Sequence, residues 1–300
     1  MDIRYNQLIS SLQQTFINQN KFLFDKHVPE FEYDGKFLGD YFNQIAVEPR
    51  GEQPPRFYHT FSPFDVISNK APDYAVVFEN GELILNLDFH HYVVLRTAAM
   101  NAVVLKGLGI NSLQDKRVLL FGAGAIATET IKILASELSL RAVDVITRSG
   151  DLSIIKNATN QCGVTINDGS LENISDYDVI ICHTQSTASV IPENCINKIK
   201  KGAVITTFLS STEHGEVADD FYNSNQANII VDWDKTIATA KDMQRAQAAK
   251  LFSDADLIFI KDLLNSTAID PTKQYTIYRS TGTPIQNLAV LKELLDGSDT

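Results

Sequence analysis

The stretch from Arg117 to Ala127, RVLLFGAGAIA, decides how this chain folds. Val118–Phe121 is a four-residue apolar run, too short for a helix and closed by glycine, so it predicts a buried strand. Gly122-Ala123-Gly124 interrupts that run, and good helix formers then continue to about Leu138. Strand, tight turn and helix in this order aim the unpaired N–H groups of a helix's first turn at an anion, the layout that holds a dinucleotide pyrophosphate. Gly122 permits the turn, Gly124 lets backbone approach phosphate, Ala125 and Ile126 belong to the phosphate-facing first turn, and Ala127 allows close helix–strand packing.

Beyond this turn, apolar runs at Val143–Thr147, Val164–Ile166, Val179–Cys182, Ala203–Thr207 and Asn228–Val231 alternate with helix-compatible stretches. With Val118–Phe121 they make six short strands joined by crossovers, which is a Rossmann-type, doubly wound parallel sheet. Residues 234–264 are helix-rich, Gln274–Tyr278 resembles a last strand, and a helix from about Thr283 to Leu295 closes the chain. Upstream, Ile3, Leu8, Ile9, Leu12, Phe16 and Ile17 keep a helical beat. Residues 30–75 are rich in aromatics, proline and glycine, with Pro54-Pro55 breaking any regular element, so irregular structure with short strands is expected there. Tyr74–Phe78 and Glu82–Leu87 flank an Asn80-Gly81 turn and predict a hairpin, and Val93–Leu108 reads as a helix ended by Gly107-Leu108-Gly109.

A chain of 300 residues with 44% hydrophobic content can bury two ordinary cores. Its net charge of −11 and pI near 5.0, without a clustered basic footprint, argue against a nucleic-acid partner. Cys162, Cys182 and Cys195 show no metal or redox spacing, and their odd number fits a reducing, cytoplasmic setting. His90-His91 point apart on one element and no carboxylate cluster accompanies them, so no metal is expected. The N-terminal residues lack a signal pattern, and no apolar run approaches the roughly 18 residues of a membrane span.

Sites that take NAD place a carboxylate on the ribose, at the end of the second strand about 20 residues past the glycine turn. Here that strand ends Thr147-Arg148-Ser149, a guanidinium and two hydroxyls suited to a 2′-phosphate, while Asp144 lies too early and Asp151 too late. NADP(H) is therefore favoured over NAD(H), the alternative being that Arg148 is a solvated cation at a strand end.

Arg96-Thr97-Ala98-Ala99 lies early in a helix, where a guanidinium can receive a carboxylate, and Tyr278-Arg279-Ser280-Thr281-Gly282 runs from a strand into a small-residue turn. The order and spacing of these two segments about the Gly122–Ala127 turn resembles the ornithine cyclodeaminase/mu-crystallin family. Its segments there are an RTAA helix start, a G-x-G-x-x-A turn and a late K-S-x-G-x-x-x-x-D-L run. The likeness extends from about Gly81 to Ala289, with Asp178–Ser186 similar to the family's fourth strand, Lys201–Val204 to the start of its fifth and Val231-Asp232 to its sixth.

The resemblance implies a smaller α+β domain built from both chain ends (1–108 and 284–300) that carries substrate contacts and usually a dimer interface. It is joined to a cofactor domain (109–283), with the reaction in the cleft. By position Arg96 would bind a substrate carboxylate, Arg279 would assist near the nicotinamide, and Thr184, Ser280 and Gly282 would line the cofactor site. Arg56 is a candidate for a second substrate-binding arginine, whereas the family's N-terminal lysine has no identified counterpart. Its late lysine is here Arg279 and its late aspartate Asn287.

Cyclodeaminases of this family carry a proton-shuttling aspartate six residues before a glutamate; counting back from Glu216 gives Ser210. A serine hydroxyl does not titrate near neutral pH, which disfavours loss of ammonia and ring closure. Reducing an already protonated C=N bond asks only that the carboxylate be held and a hydride presented, and serine stands at this place in the family's ketimine reductase branch. Ser210 would orient a water or the imine nitrogen, and His183 and His214 are secondary candidates for a proton donor that read more naturally as structural. The expectation is an NADPH-dependent reductase of a small α-imino acid, acting as a cytoplasmic homodimer. An NAD(P)-dependent amino-acid or opine-type dehydrogenase, a cyclodeaminase-like enzyme and a non-catalytic dinucleotide binder are the alternatives.

Overall fold

The computed structural model describes residues 3–27, 30–33, 36–63, 73–186, 188–208, 215–266 and 269–296. They fall into two compact units, Met1–Arg96 with Thr283–Thr300, and Thr97–Gly282.

The first unit is an antiparallel sheet with helices on one face. Helix α1 (Tyr5–Ile17) precedes strands β1 (Leu23–His27), β2 (Glu30–Tyr33), β3 (Lys36–Arg50), β4 (Gln53–Pro63), β5 (Tyr74–Glu79) and β6 (Glu82–Asp88). The strands lie in the order β1-β3-β4-β5-β6, with β2 paired to β3. The C-terminal helix, Pro284–Asp296, packs on α1 and on β1, β3 and β4, and the Ser11 hydroxyl donates to Ala289 O at 3.0 Å. Gln44, Ala46, Tyr58, Thr60, Ala75 and Val77 share the buried face.

The opposite face is apolar as well. Leu23, Val47, Phe57, Phe78 and Leu83 are successive cross-strand partners and so form one row across β1, β3, β4, β5 and β6. Four of them are open to solvent, Leu23 at 65%, Phe57 at 44%, Phe78 at 37% and Leu83 at 52%.

Residues 30–75 depart from the expected irregular structure: β3 and β4 are long and pair from Tyr41↔Pro63 to Arg50↔Gln53. Pro54 and Pro55 do not break β4, because they lie at the register slip opposite Glu48/Arg50 and before the pairing with β5 begins at Arg56↔Glu79. A missing N–H leaves no ladder bond open at such a place.

Helix α2 (His90–Gly107) crosses from one unit to the other. The units part at residues 96/97, inside this helix. The reason is local: Ala98, Ala99, Met100, Ala102, Val103, Val104 and Leu105 are all fully buried, and Asn101 makes its hydrogen bonds with residues of the second unit.

The second unit begins with β7 (Val118–Phe121) and α3 (Ala125–Leu138), the strand and helix expected around the glycine turn. Then follow β8 (Ala142–Ile146), α4 (Ser153–Thr159), β9 (Thr165–Asp168), β10 (Val179–Cys182), β11 (Ala203–Thr207), β12 (Ala227–Val231), α5 (Thr236–Thr239), α6 (Lys241–Ala248), β13 (Leu257–Phe259), α7 (Ile260–Leu264) and β14 (Tyr275–Arg279). All pairings in this sheet are parallel, in the order β13-β12-β14-β11-β10-β7-β8-β9. β13 is an unexpected eighth strand, and among the described residues the crossovers after β9, β10 and β11 hold 3-10 turns (Leu171–Asp176, Glu193–Lys198, Asp219–Tyr222) instead of α-helices. Those segments are rich in Asn and Asp, which favour caps and turns.

From β7 the chain steps one way to β8 and β9, then returns to β10 on the other side. Strand order reverses between β7 and β10, and in open α/β sheets ligands bind beyond the carboxyl ends of the strands at such a point.

Candidate active site

At the carboxyl end of β7, Gly122 adopts φ +105° and its N–H donates to Ile146 O at 2.9 Å. A Cβ there would run into the His183 carbonyl oxygen, so the turn requires glycine. At Gly124, the N-cap of α3, a Cβ would meet no atom within 4 Å, which leaves the approach to the helix's first N–H groups open. Ala125 is exposed, Ile126 half-buried and Ala127 fully buried.

Beside it, at the end of β8, the Thr147 hydroxyl is buried without a hydrogen-bond partner, while Arg148 and Ser149 are exposed. The two acids nearby are engaged elsewhere. Asp144 accepts from Tyr177 (2.8 Å), Asn167 (3.0 Å) and Arg117 (3.2 Å), and Asp151 caps Ser153 N at 2.8 Å. Burial raises the Asp144 carboxyl, yet its hydrogen bonds with Asn167, Tyr177 and Arg117 hold it below the usual range.

Register places the candidate residues along one edge of the sheet: Thr147 after β8, Gly122 after β7, His183 and Thr184 after β10, Phe208 after β11, Ser280 after β14 and Asp232 after β12. His183 is held through Nε2, while its buried Nδ1 has no hydrogen-bond partner. The Thr206 hydroxyl donates to Asn101 Oδ1 at 2.7 Å, and Asn101 Nδ2 donates to Ala98 O at 3.1 Å and faces His183 Nε2 at 3.0 Å. With Asn101 oriented by the first two bonds, Nε2 is an acceptor and the ring proton lies on Nδ1. Burial pushes the imidazole down to about 3, so His183 is neutral and not a proton donor near neutral pH.

Glu216 is buried and accepts from Thr184 N (2.6 Å), Thr184 Oγ1 (2.9 Å) and Phe208 N (2.8 Å). Burial drives its carboxyl up; these donors and Arg279 act against that. Arg279 is itself buried, with Nε and Nη2 donating to the two oxygens of Asp242 at 2.9 and 3.0 Å and Nη1 to Ser280 O at 2.7 Å. The Tyr222 hydroxyl donates to the same carboxylate at 2.9 Å. Asp232, also buried, accepts from the Tyr278 and Ser280 hydroxyls, and Gly282 N donates back to Ser280 Oγ at 3.3 Å.

In the first unit Arg96 is buried on α2, and its Nη1 donates to Gln286 Oε1 at 2.5 Å. Arg56 pairs with Glu79 at 3.2 Å, and Arg50 joins the same carboxylate. Asn287 Nδ2 donates to Gln44 Oε1 (2.9 Å) and Thr60 Oγ1 (2.8 Å). His90 pairs with Asp73 at 2.7 Å, and among the described residues no group of three or more His, Cys, Asp or Glu could hold a metal ion. No helix among them is long and apolar enough to cross a membrane. Ser210 and His214 lie outside the described residues.

The sequence profile of the Ornithine cyclodeaminase/mu-crystallin family matches residues 75–298 of 300. The chain belongs to this family. No curated protein matches it in sequence. Among solved structures it is similar to the probable ornithine cyclodeaminase of Bordetella pertussis Tohama I, at TM-score 0.80 and 19% identity over 96% of this chain and 91% of that one. The iminosuccinate reductase of Paracoccus denitrificans in complex with NAD+ gives 0.79 and 17% over 98% and 92%. The Thermococcus litoralis Delta(1)-pyrroline-2-carboxylate reductase, in complex with NADH and L-proline, gives 0.78 and 14% over 98% and 95%. Members of the ornithine cyclodeaminase/mu-crystallin family are nicotinamide-dependent oxidoreductases and cyclodeaminases acting on C–N bonds.

Against the family pattern, the residues around Gly122 suit a dinucleotide: a turn that a Cβ would fill, an open helix start and a buried hydroxyl lacking a partner. The guanidinium of Arg279 is gripped by Asp242, and its Nη1 donates to Ser280 O. Sequence reading missed Asp242 and used Glu216 only as a counting mark; a lone acid in a helix or loop gives no signal until its partner is brought near.

Proposed function

We propose that this family member is an NADPH-dependent reductase converting a small α-imino acid, cyclic or formed from a 2-oxo acid and an amine, to the amino acid. The turn at the carboxyl end of β7 carries the reading, since its open backbone stands at the switch point of the sheet. Gly122, Gly124, Ala125 and Ile126 would hold the pyrophosphate, and Thr147, Arg148 and Ser149 the adenosine ribose with its 2′-phosphate. Asp144 and Asp151 support that choice over NAD, being engaged elsewhere. Thr184, Ser280 and Gly282 would face the nicotinamide half, which when bound supplies a hydride.

Arg96 would clamp the substrate carboxylate, with Gln286 fixing the guanidinium through a neutral amide. Arg279 is a positioning residue in this scheme, and Arg56, paired with Glu79, would act at most on the substrate's tail. Ser210 would orient the imine nitrogen or a water; its hydroxyl cannot shuttle the protons that cyclodeamination requires.

The test is to mix protein, NADPH and a panel of 2-imino acids and follow loss of the reduced-nicotinamide absorbance. Arg96→Ala should lower kcat/KM for carboxylate substrates about a hundredfold, the scale of a charge-assisted bidentate contact. An unchanged rate removes Arg96 from the site. Tight NADPH binding with no turnover points to the non-catalytic alternative, and faster oxidation of an amino acid than reduction of its imine to a dehydrogenase.

Two copies of the chain would pair through the apolar row on the first unit's sheet, because an exposed row of this width marks an interface. Sedimentation should give a dimer for the native protein and a monomer for Phe57→Glu/Leu83→Glu. The free thiols of Cys162, Cys182 and Cys195 suit a cytoplasmic home.

A further inference from the structure

Glu216 holds two segments at the sheet's carboxyl edge with one side chain. Its carboxylate takes Thr184 N, Thr184 Oγ1 and Phe208 N, while its backbone oxygen accepts from Val190 N at 2.8 Å and Ile191 N at 3.2 Å. The segments following β10 and β11 thus share one fastening point. All three groups on the carboxylate are donors, so the position calls for an acceptor with two equivalent oxygens. Glutamine would turn an N–H group toward at least one of them.

The bond to Thr184 has a consequence for ligands. A hydroxyl owns one proton, and Glu216 takes it, so Thr184 Oγ1 offers any other group only its lone pairs. Thr184 stands directly against the glycine turn, its Cγ2 3.8 Å from where a Gly122 Cβ would lie. We propose that Glu216 is a positioning residue that fixes Thr184 as an acceptor for a hydrogen-bond donor, an amide N–H or a sugar hydroxyl, on the nicotinamide-riboside half of the dinucleotide. The assignment rests on the proposed dinucleotide site and adds to it the residue that sets the polarity of one contact.

The experiment compares the whole dinucleotide with its adenosine half. Dissociation constants for NADPH and for adenosine 2′,5′-bisphosphate are measured on the full-length native protein, Thr184→Val, Thr184→Ser, Glu216→Leu and the Glu216→Leu/Thr184→Val double variant, with thermal melting to confirm folding. Leucine is chosen because both Thr184 groups donate to the same carboxylate oxygen, which the carbonyl of glutamine would replace. Thr184→Val and Glu216→Leu should each weaken NADPH about tenfold, the loss of one buried hydrogen bond, and leave adenosine 2′,5′-bisphosphate unchanged. The double variant should be no worse than the worse single one, since both remove the same contact, and Thr184→Ser should retain native affinity. Equal weakening of both ligands, or additive losses in the double variant, overturns the role given to Glu216. Should Glu216→Leu not fold, Thr184→Val alone decides, and unaltered NADPH binding refutes the acceptor. Failure of the native protein to bind either ligand overturns the dinucleotide site itself, an outcome separate from these.

Discussion

Around Gly122, at the end of β7, the chain presents backbone, two glycines and an exposed helix start; three strands away, at the end of β14, it presents Arg279, Ser280 and the buried carboxylates of Asp242 and Asp232. Both places end strands of the same parallel sheet, and the proposed function gives both to one ligand. The first works by leaving side chains out, so that N–H groups can reach an anion. The second works by filling the space with charges that satisfy one another, so that a small turn keeps its shape. Binding by omission tolerates little change at a glycine, whereas binding on a charged footing tolerates little change in any one partner of a pair.

The largest effect should come from the filled end. Asp242→Asn removes one partner of a buried ion pair and leaves Arg279 uncompensated, a loss of about 3–5 kcal/mol in urea unfolding; a loss under about 1 kcal/mol would show that the network is decorative. Burial raises the Asp242 carboxyl, but Arg279 and Tyr222 hold it below the ordinary 3.8. Its stabilising contribution is therefore complete above that value and is lost as pH falls through the lower folded one. Thermal melting of the native protein should drop more steeply below pH 3.8 than that of the Asn variant.

At the open end the two glycines should separate. Gly122→Ala meets the His183 carbonyl at positive φ and should lose about 3 kcal/mol of stability along with dinucleotide binding. Gly124→Ala meets nothing in the protein and should melt like the native chain while weakening NADPH, because the added methyl group obstructs only the ligand. Equal melting temperatures for the two variants would erase the contrast. The smallest change is Arg148→Ala, expected to weaken NADPH about tenfold and leave NADH unaltered, read by fluorescence titration. Equal effects on both would return Arg148 to the role of a solvated cation.

How far the sequence can be read follows the same division. The glycine turn is legible because strand, turn and helix are neighbours in the chain, and the strands of the parallel sheet show as continuous runs because both of their faces are buried. β13 escapes, since Leu257–Phe259 passes directly into α7 at Ile260 and reads as one helical run. β3 and β4 escape for another reason: with Tyr58 and Thr60 on the covered face and Phe57 and Phe61 on the other, the alternation that marks a half-buried strand disappears. The fastenings of the site are least visible of all. Asp242 is 37 positions from Arg279 and Glu216 is 32 from Thr184, and polar pairs so distant leave no period.

The chain Thr206–Asn101–His183 reaches beyond packing. An imidazole locked as an uncharged ring cannot give either limb to a rate-against-acidity curve, although histidine is the side chain most often credited with them. Such a curve therefore takes no bend from His183 between pH 5 and 8, and a bend set by the substrate's own nitrogen should move when the imine's basicity is changed and stay put in a His183 variant.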